Sequence, residues 1–427
     1  MANTKKYLGA TQSDLEIVKN FISKGELKEA LIVLDELSTN YPNDVNLYFF
    51  GGNCYIAMQS FNQAILCYQE AIKLKPDFSE AHNNLGICFR EIGKMDESIF
   101  HTRKAIKLMP DFRLAFSNLA GALTDLGRVD EAIEFFAKAR GDNKDYDQGI
   151  LLMKKKYFTE AIESFKASRF LDWQEKVLEC HYRNKDFNEF KEKIKINKQK
   201  HTSPFLATLS AHYAQNFKTE DPYNFCPSPL NFVCHEQIPE LMENDQLLIN
   251  ELINDINTSD IGQRKQSRLT AGIQSSGHLF RRPEKSFKKL SDALIKTIKK
   301  YYLRHQNEDN EFIHLFPKDI SFSSAWYVKM QSGGYLSSHI HEEGWISGAV
   351  YLSIPKDSGP DGQEGAIELS SDGDEYPRLH DEFEKKVILP NVGDVIFFPS
   401  SVFHRTIPFD SKEERICIAF DVKPELR

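Results

Sequence analysis

Over residues 11–140, apolar positions recur in a helical rhythm, and the rhythm itself repeats. Pro42, Pro76 and Pro110 are 34 residues apart, and so are Ala30, Ala64, Ser98 and Ala132. Leu34, Tyr68, Thr102 and Phe136 keep the same step, as do Leu37, Ala71, Ala105 and Ala139. A repeat of this length predicts pairs of antiparallel helices that cannot bury their apolar faces alone and so stack on their neighbours. Small residues fall where the two helices of a pair cross: Gly52 with Ala64, Gly86 with Ser98, Ala120 with Ala132. Tyr48 and Tyr55, His82 and Phe89, and Phe116 and Leu123 supply the large partners. Gly93 and Gly127 mark turns, and the prolines close each pair because they cannot continue a helix. The pattern then wears down. Residues 157–170 keep Ala161, Phe165 and Ser168 of a second helix, and 173–194 read as another worn repeat or a capping pair.

A 34-residue period with these columns resembles the tetratricopeptide repeat. The resemblance implies an α-helical superhelix over residues 11–200, and its concave face is expected to bind a peptide or another protein. The basic stretch 191–201 reads as a solvated helix end or linker, and His82 and His101 as packed or surface histidines. Residues 201–318 form a connecting segment. It holds a Pro-rich turn at 227–232, an acidic amphipathic helix over 240–256, a loop over 267–280 and a second helix over 286–305. Phe287, Leu290, Leu294, Ile295, Ile298 and Tyr302 line one face of that helix, as expected of a helical layer backing a sheet.

After residue 319 the period changes to that of short strands between Gly/Pro turns, over 319–331, 345–355, 365–371, 385–390, 394–400 and 415–422. This spacing predicts a β-sandwich or barrel over 319–427. His339 and His341 stand just before one strand, and His404 follows 63 residues after His341. A close histidine pair with a distal third is the layout of a facial metal site that leaves coordination positions open. Arg415 opens the last strand, where a fixed guanidinium suits a carboxylate held inside the barrel.

Three motifs in this order, HIHEEGWISGAVYLSIP (339–355), GDVIFFPSSVFHRTIPF (393–409) and RICIAFDV (415–422), resemble the 2-oxoglutarate/Fe(II) oxygenases of marine bacteria and phages, relatives of the prolyl hydroxylases. The resemblance implies a C-terminal double-stranded β-helix (jelly roll), so the whole chain is expected to be a multidomain α + β protein. It implies an Fe(II)- and 2-oxoglutarate-dependent dioxygenase that uses O2 to hydroxylate a C–H bond of a peptide, protein or other substrate. His404 matches the distal iron ligand and Arg415 the group that binds the 2-oxoglutarate carboxylate. Relatives commonly carry His-X-Asp/Glu, whereas this chain offers His339-Ile340-His341 and also His341-Glu342-Glu343. The iron is therefore expected on His339, His341 and His404, with Glu343 as the alternative carboxylate ligand. Tyr327 and Tyr351 are candidates to reach 2-oxoglutarate, and Trp345 to line the substrate mouth. Ser347 and Gly348 are read as allowing close strand approach, and Asp394 as a turn residue. The rival reading is a non-catalytic repeat scaffold with a cupin-like, metal-binding barrel.

Composition narrows the class. The length of 427 residues suits two or three domains, and 41% hydrophobic with 27% charged residues is ordinary for a globular protein. A net charge of −8 argues against nucleic acid, which needs a basic footprint. No secretory h-region or membrane-spanning stretch is read in the sequence. Cys54, Cys67, Cys88, Cys180, Cys226, Cys234 and Cys417 are scattered without a C-x-x-C pair, so reduced thiols in a cytoplasmic protein are expected.

Overall fold

A computed structural model describes residues 9–138, 144–170, 172–198, 203–264, 268–342, 344–355, 362–373 and 375–423. Ala139, Glu343 and residues 199–201 of the basic stretch lie outside the described residues. The chain divides into two compact units, Met1–Leu151 with Asp260–Arg264, and Leu152–Ser259 with Lys265–Arg427.

The first unit is a helical array: α1 (Gln12–Ser23), α2 (Leu27–Asn40), α3 (Val45–Ala57), α4 (Phe61–Leu74), α5 (Ser79–Glu91), α6 (Met95–Leu108), α7 (Arg113–Asp125) and α8 (Val129–Lys138). α9 (Lys144–Lys154) follows, and a short strand, β2 (Gln263–Arg264), also belongs to this unit. The small-residue column is buried as its spacing requires: Ala30, Ala64 and Ala132 are fully covered, and Ser98 nearly so. Gly52 is small for a reason that can be measured, because a Cβ there would stand 2.6 Å from the Tyr68 ring. The turn inside each helix pair uses the left-handed region at Gly25, Gln59, Gly93 and Gly127, again one position per 34 residues. Lys156 and Lys185 keep that turn where the repeat has worn down.

In the second unit the worn repeats form α10 (Phe158–Ser168), α11 (Trp173–Arg183) and α12 (Phe187–Lys198). α13 (Pro204–Asn216) is apolar on nearly every side and buried accordingly. The helix expected over 240–256 is broken into α14 (Pro239–Met242) and α15 (Leu247–Thr258). The break falls at Asn244, Asp245 and Gln246, all left-handed; Asn and Asp tolerate that conformation best among residues with a Cβ. α16 (Lys285–His305) matches the expected helix and presents buried Phe287, Leu290, Leu294 and Ile298, and α17 (Glu311–His314) follows.

The strands of this unit are β1 (Cys234–Gln237), β3 (Leu269–Ser275), β4 (Phe322–Leu336), β5 (Ile346–Ser353), β6 (Ile367–Ser370), β7 (Lys385–Ile388), β8 (Asp394–Pro399), β9 (Phe403–Thr406) and β10 (Arg415–Val422). The larger antiparallel sheet runs β1-β8-β5-β10-β4-β3, and the smaller runs β7-β6-β9. One apolar core joins them, with Val328, Met330, Tyr351, Phe398 and Cys417 from the larger sheet and Ile367, Leu369 and Ile388 from the smaller. Two antiparallel sheets over one core are consistent with the expected jelly roll. The segment 267–280, expected as a loop, contains β3. Its alternation is disguised by a register shift between Thr270 and Gly272, with Ala271 left-handed. No helix among the described residues is long and apolar enough to cross a membrane.

Two stability predictions follow from the array. Gly52→Ala gains roughly 1 kcal/mol of helix propensity. It also drives a methyl into a Tyr68 ring whose hydroxyl donates to Asn53 at 2.6 Å. Overpacking of a ring that cannot retreat costs about 1–3 kcal/mol, so the net expectation is a lower melting temperature by calorimetry. The second concerns His82 and His101, stacked with Nδ1 atoms 3.0 Å apart. His82 Nε2 donates to Pro76 O, so its Nδ1 accepts from His101, a contact that needs a neutral His82. Burial, followed by the His82 charge, lowers His101 from 6.5 to about 4, and burial lowers His82 as well. The unfolded chain therefore binds more protons than the fold between these values, and stability present above pH 6.5 is lost as pH falls toward about 4. In His101→Phe that loss should be shallower, as read by melting temperature against pH.

Candidate metal centre

β10 lies in the middle of the larger sheet, and alternation puts Arg415, Cys417, Ala419 and Asp421 on one face. Its neighbours set matching residues beside them. Trp326 pairs with Ala419, Val328 with Cys417 and Met330 with Arg415, while Ala349 and Ser347 of β5 pair with Ala419 and Asp421. Trp326, Val328, Met330, Ala349, Cys417 and Ala419, with Tyr351, Phe398, Ile367 and Thr406, line a cavity that also holds His339, His341, His404 and Arg415.

The three histidines come together by two different devices. His339 and His404 are joined by backbone, each N–H donating to the other's carbonyl at 3.1 and 2.9 Å, so β9 carries its histidine up to the loop after β4. His341 is placed by its side chain, whose Nδ1 donates to Asp421 Oδ1 at 2.5 Å. One ligand atom from each ring lies within 4.8 Å of the other two, and the Nε2 atoms of His339 and His341 are 3.3 Å apart. Two imidazole nitrogens about 2.1 Å from one ion, at angles between right and tetrahedral, stand roughly 3.0–3.4 Å from each other.

Each Nδ1 is turned to an acceptor: Ser337 O at 2.8 Å for His339, Val402 O at 3.5 Å for His404, and Asp421 for His341. That assignment leaves Nε2 as the lone-pair atom, the tautomer a metal takes. Burial, followed by the charge of His341, pushes His339 down to about 3. Burial with the charges of both partner histidines puts His404 well below its ordinary value. Both rings are therefore neutral, and able to ligate, across the physiological range. Burial alone would raise the Asp421 carboxyl, but His341, Ser324 and Ser347 outweigh it and hold it low, as an anion. Its hydroxyl donors, Ser324 and Ser347, each lie at 2.7 Å.

Arg415 is 2% exposed, yet among the described residues it has no carboxylate partner. Its Nε donates to Gly365 O at 3.1 Å, and the guanidinium lies over the Tyr351 ring at 5.0 Å. A permanently charged group buried without a carboxylate partner among the described residues is costly, and an anion in this cavity would offset that cost. Burial raises the Tyr351 phenol and the Cys417 thiol, so both stay neutral and add no negative charge of their own. The donor set of three imidazoles suits a first-row divalent ion, and the guanidinium suits a carboxylate beside it.

Of the residues singled out in the sequence, His339, His341, His404, Arg415 and Tyr351 share the cavity. Tyr327 sits one position out of phase with Trp326 and Val328, on the other face of β4, where its N–H donates to Ser275 Oγ. Trp345 is buried between Phe225 and Phe312, and its indole N–H donates to Phe312 O. The tryptophan at the cavity is Trp326, 5.5 Å from the His341 ring. Gly348 does allow close approach, since a Cβ would meet Phe397 at 2.5 Å. Asp394 caps its turn through Asn391 N–H and also accepts from His235. Asp421 was not singled out, although the signal was available: an acid in phase with Arg415 on the inward side of an apolar strand needs a partner.

Comparisons with known proteins agree with these two halves. Residues 324–421 match the family model described as "Putative 2OG-Fe(II) oxygenase", and residues 52–89 match one described as a TPR repeat. No curated protein matches the chain. Similar solved structures include a tetratricopeptide repeat protein from Parabacteroides merdae (14% identity, TM-score 0.42, covering 52% of this chain and 90% of that one). Another is pilF of Pseudomonas aeruginosa (17% identity, TM-score 0.37, covering 42% and 86%). A third is YrrB, described as a TPR protein with an unusual peptide-binding site (18% identity, TM-score 0.33, covering 39% and 87%). The chain thus carries tetratricopeptide repeats toward its N-terminus and a domain of the 2OG-Fe(II) oxygenase type toward its C-terminus.

Proposed function

We propose that the chain is an Fe(II)- and 2-oxoglutarate-dependent dioxygenase that hydroxylates a C–H bond, with iron on His339, His341 and His404. The observation that carries this reading is the pairing of three convergent neutral imidazoles with a buried Arg415 that has no carboxylate partner among the described residues. Bound Fe(II), with 2-oxoglutarate and O2, supplies the oxidising power for placing oxygen in a substrate C–H bond. The chain's own residues bind, orient and exclude water. Arg415 takes the distal carboxylate of the co-substrate, with Tyr351 beneath its guanidinium. Val328, Met330, Ile367 and Phe398 keep the cavity apolar, which strengthens each charged contact inside it.

Charge supports the same reading. Three neutral imidazoles leave the two charges of a divalent ion undiminished, and Arg415 adds a third. Asp421, one ring away through His341, removes one of them. A dicarboxylate removes the other two, and the buried site is then neutral. Asp421 is in this sense the carboxylate that a His-X-Asp/Glu site would place directly on iron.

We place the peptide or protein partner on the repeats. Amides of half-buried Asn53, Asn84 and Asn118 and of buried Asn83 form a hydrogen-bonded run across α3, α5 and α7, a polar seam suited to the repeating polar groups of an extended chain. Free thiols at all seven cysteines suit a reducing compartment such as the cytoplasm.

The test is anaerobic titration of Fe(II), then 2-oxoglutarate, into the full chain, reading the visible charge-transfer band. The wild type should develop the band, and His404→Ala should bind neither iron nor co-substrate at that site. Arg415→Ala should keep iron while 2-oxoglutarate binding weakens roughly 100-fold, the loss of a charge-assisted contact. Bound iron without a band in the wild type would leave the barrel as a metal-binding scaffold. Asp421→Asn should keep all three ligands yet weaken iron binding about 10–100-fold. Unchanged affinity in that variant would remove Asp421 from the account.

A further inference from the structure

The loop that carries two of the three metal-site histidines runs from the end of β4 at Leu336 to the start of β5 at Ile346. Its backbone is tied down at Ser337, which donates to Arg268 O at 3.0 Å, and at two further points around His341. His339 is bridged to His404, and Trp345 donates to Val422 O at 2.9 Å while accepting from Ser400 N–H at 3.1 Å. Between His339 and Trp345, His341 is presented from outside either sheet. At the crest, next to His341, Glu342 forms an ion pair with Lys176 of α11.

Lys176 is not an ordinary surface lysine. Its side chain is 5% exposed, its ammonium lies 3.2 Å from Glu179 Oε2, and it sits 4.3 Å over the Phe205 ring of α13. Glu179, 2% exposed, accepts from Arg183 Nε at 2.8 Å as well, so the lysine is already fixed when it meets the loop. A flexible exposed lysine gains little from an ion pair because ordering it offsets the Coulomb energy. A buried, pre-ordered one loses little further freedom and transmits its position. The pair joins residues 166 apart in sequence, and α11 continues the worn repeat pattern rather than the barrel.

We propose that Lys176, through Glu342, is a positioning residue for the metal centre, holding the loop crest so that His341 faces the ion alongside His339 and His404. The inference rests on the reading of the triad as a metal site. It assigns to a worn repeat helix a part in the chemistry that the barrel motifs alone do not contain. Neither Lys176 nor Glu342 touches the ion; both act through the backbone of His341.

The test is Co(II) titration of the full chain, with affinity and the shape of the visible ligand-field bands read together. The variants are Lys176→Met, Glu342→Gln and the double variant, with Lys218→Met as a control in an exposed pair with Glu382. Glu342 is substantially exposed, so Glu342→Gln should fold even if Lys176→Met does not. Each single variant should bind Co(II) about tenfold more weakly and show altered bands at saturation, and the double variant should be no worse than either. Lys176→Arg should restore the affinity. The band shape is the readout that a general loss of stability would not move. Wild-type affinity and bands in Glu342→Gln, or losses that simply add in the double variant, would overturn the inference. A wild-type chain that binds no Co(II), or binds it equally in His404→Ala, would instead bring down the metal-site reading beneath it.

Discussion

The second unit is organised around two opposite charges buried six residues apart on the inner face of one central strand. Arg415 and Asp421 both point inward from β10, and each needs polar company that an apolar core does not offer. Much of the site's polar geometry is an answer to that need. Gly365 and Tyr351 are drawn to the arginine, while Ser324, Ser347 and His341 are drawn to the aspartate. The apolar residues between them, Cys417 and Ala419, keep the two charges apart. A strand that carried leucines at both ends would pack more easily and would have no reason to gather histidines.

The repeats obey a different constraint, that of fitting one helix pair onto the next. Small residues are needed at fixed intervals because the helices cross closely, and this made the array legible without any structure. The turn between paired helices is as strictly periodic as the alanines. Its residue identity is less so: Gly25, Gln59, Gly93 and Gly127 share one backbone conformation. Lys156 and Lys185 hold the same turn with no glycine to announce it, which is why the later helices read only as worn copies. Backbone geometry persisted there after the sequence signature had faded.

In the barrel, the strands set apart by Gly/Pro turns were legible, β6 and β7 of four residues among them, whereas β1, β3 and β9 were not. β3 was hidden by its register shift, and β9 by following β8 after only Ser400, Ser401 and Val402, although it carries His404. The histidines and Arg415 could be found because they are chemically unusual where they stand. Which aromatic faces the cavity could not, since Trp326 and Tyr327 are adjacent and a single step of phase decides between them. Asp421 carries no motif of its own: it lies in the apolar run 415–422, whose chemically distinct member is Arg415. The break in the helix over 240–256 depended on three consecutive left-handed residues, and the composition of a helix does not reveal that conformation.

The backbone bridge between His339 and His404 makes the three histidines depend on the chain in different ways. Two of the three histidines are held by reciprocal hydrogen bonds between main chains, so their spacing is set by the same interactions that close the fold. His341 depends on side chains instead, its ring on Asp421 and the residue beside it on the Glu342–Lys176 pair. The His339–His404 spacing is therefore a property of the main chain, while the place of His341 is written in side chains and can be altered one residue at a time.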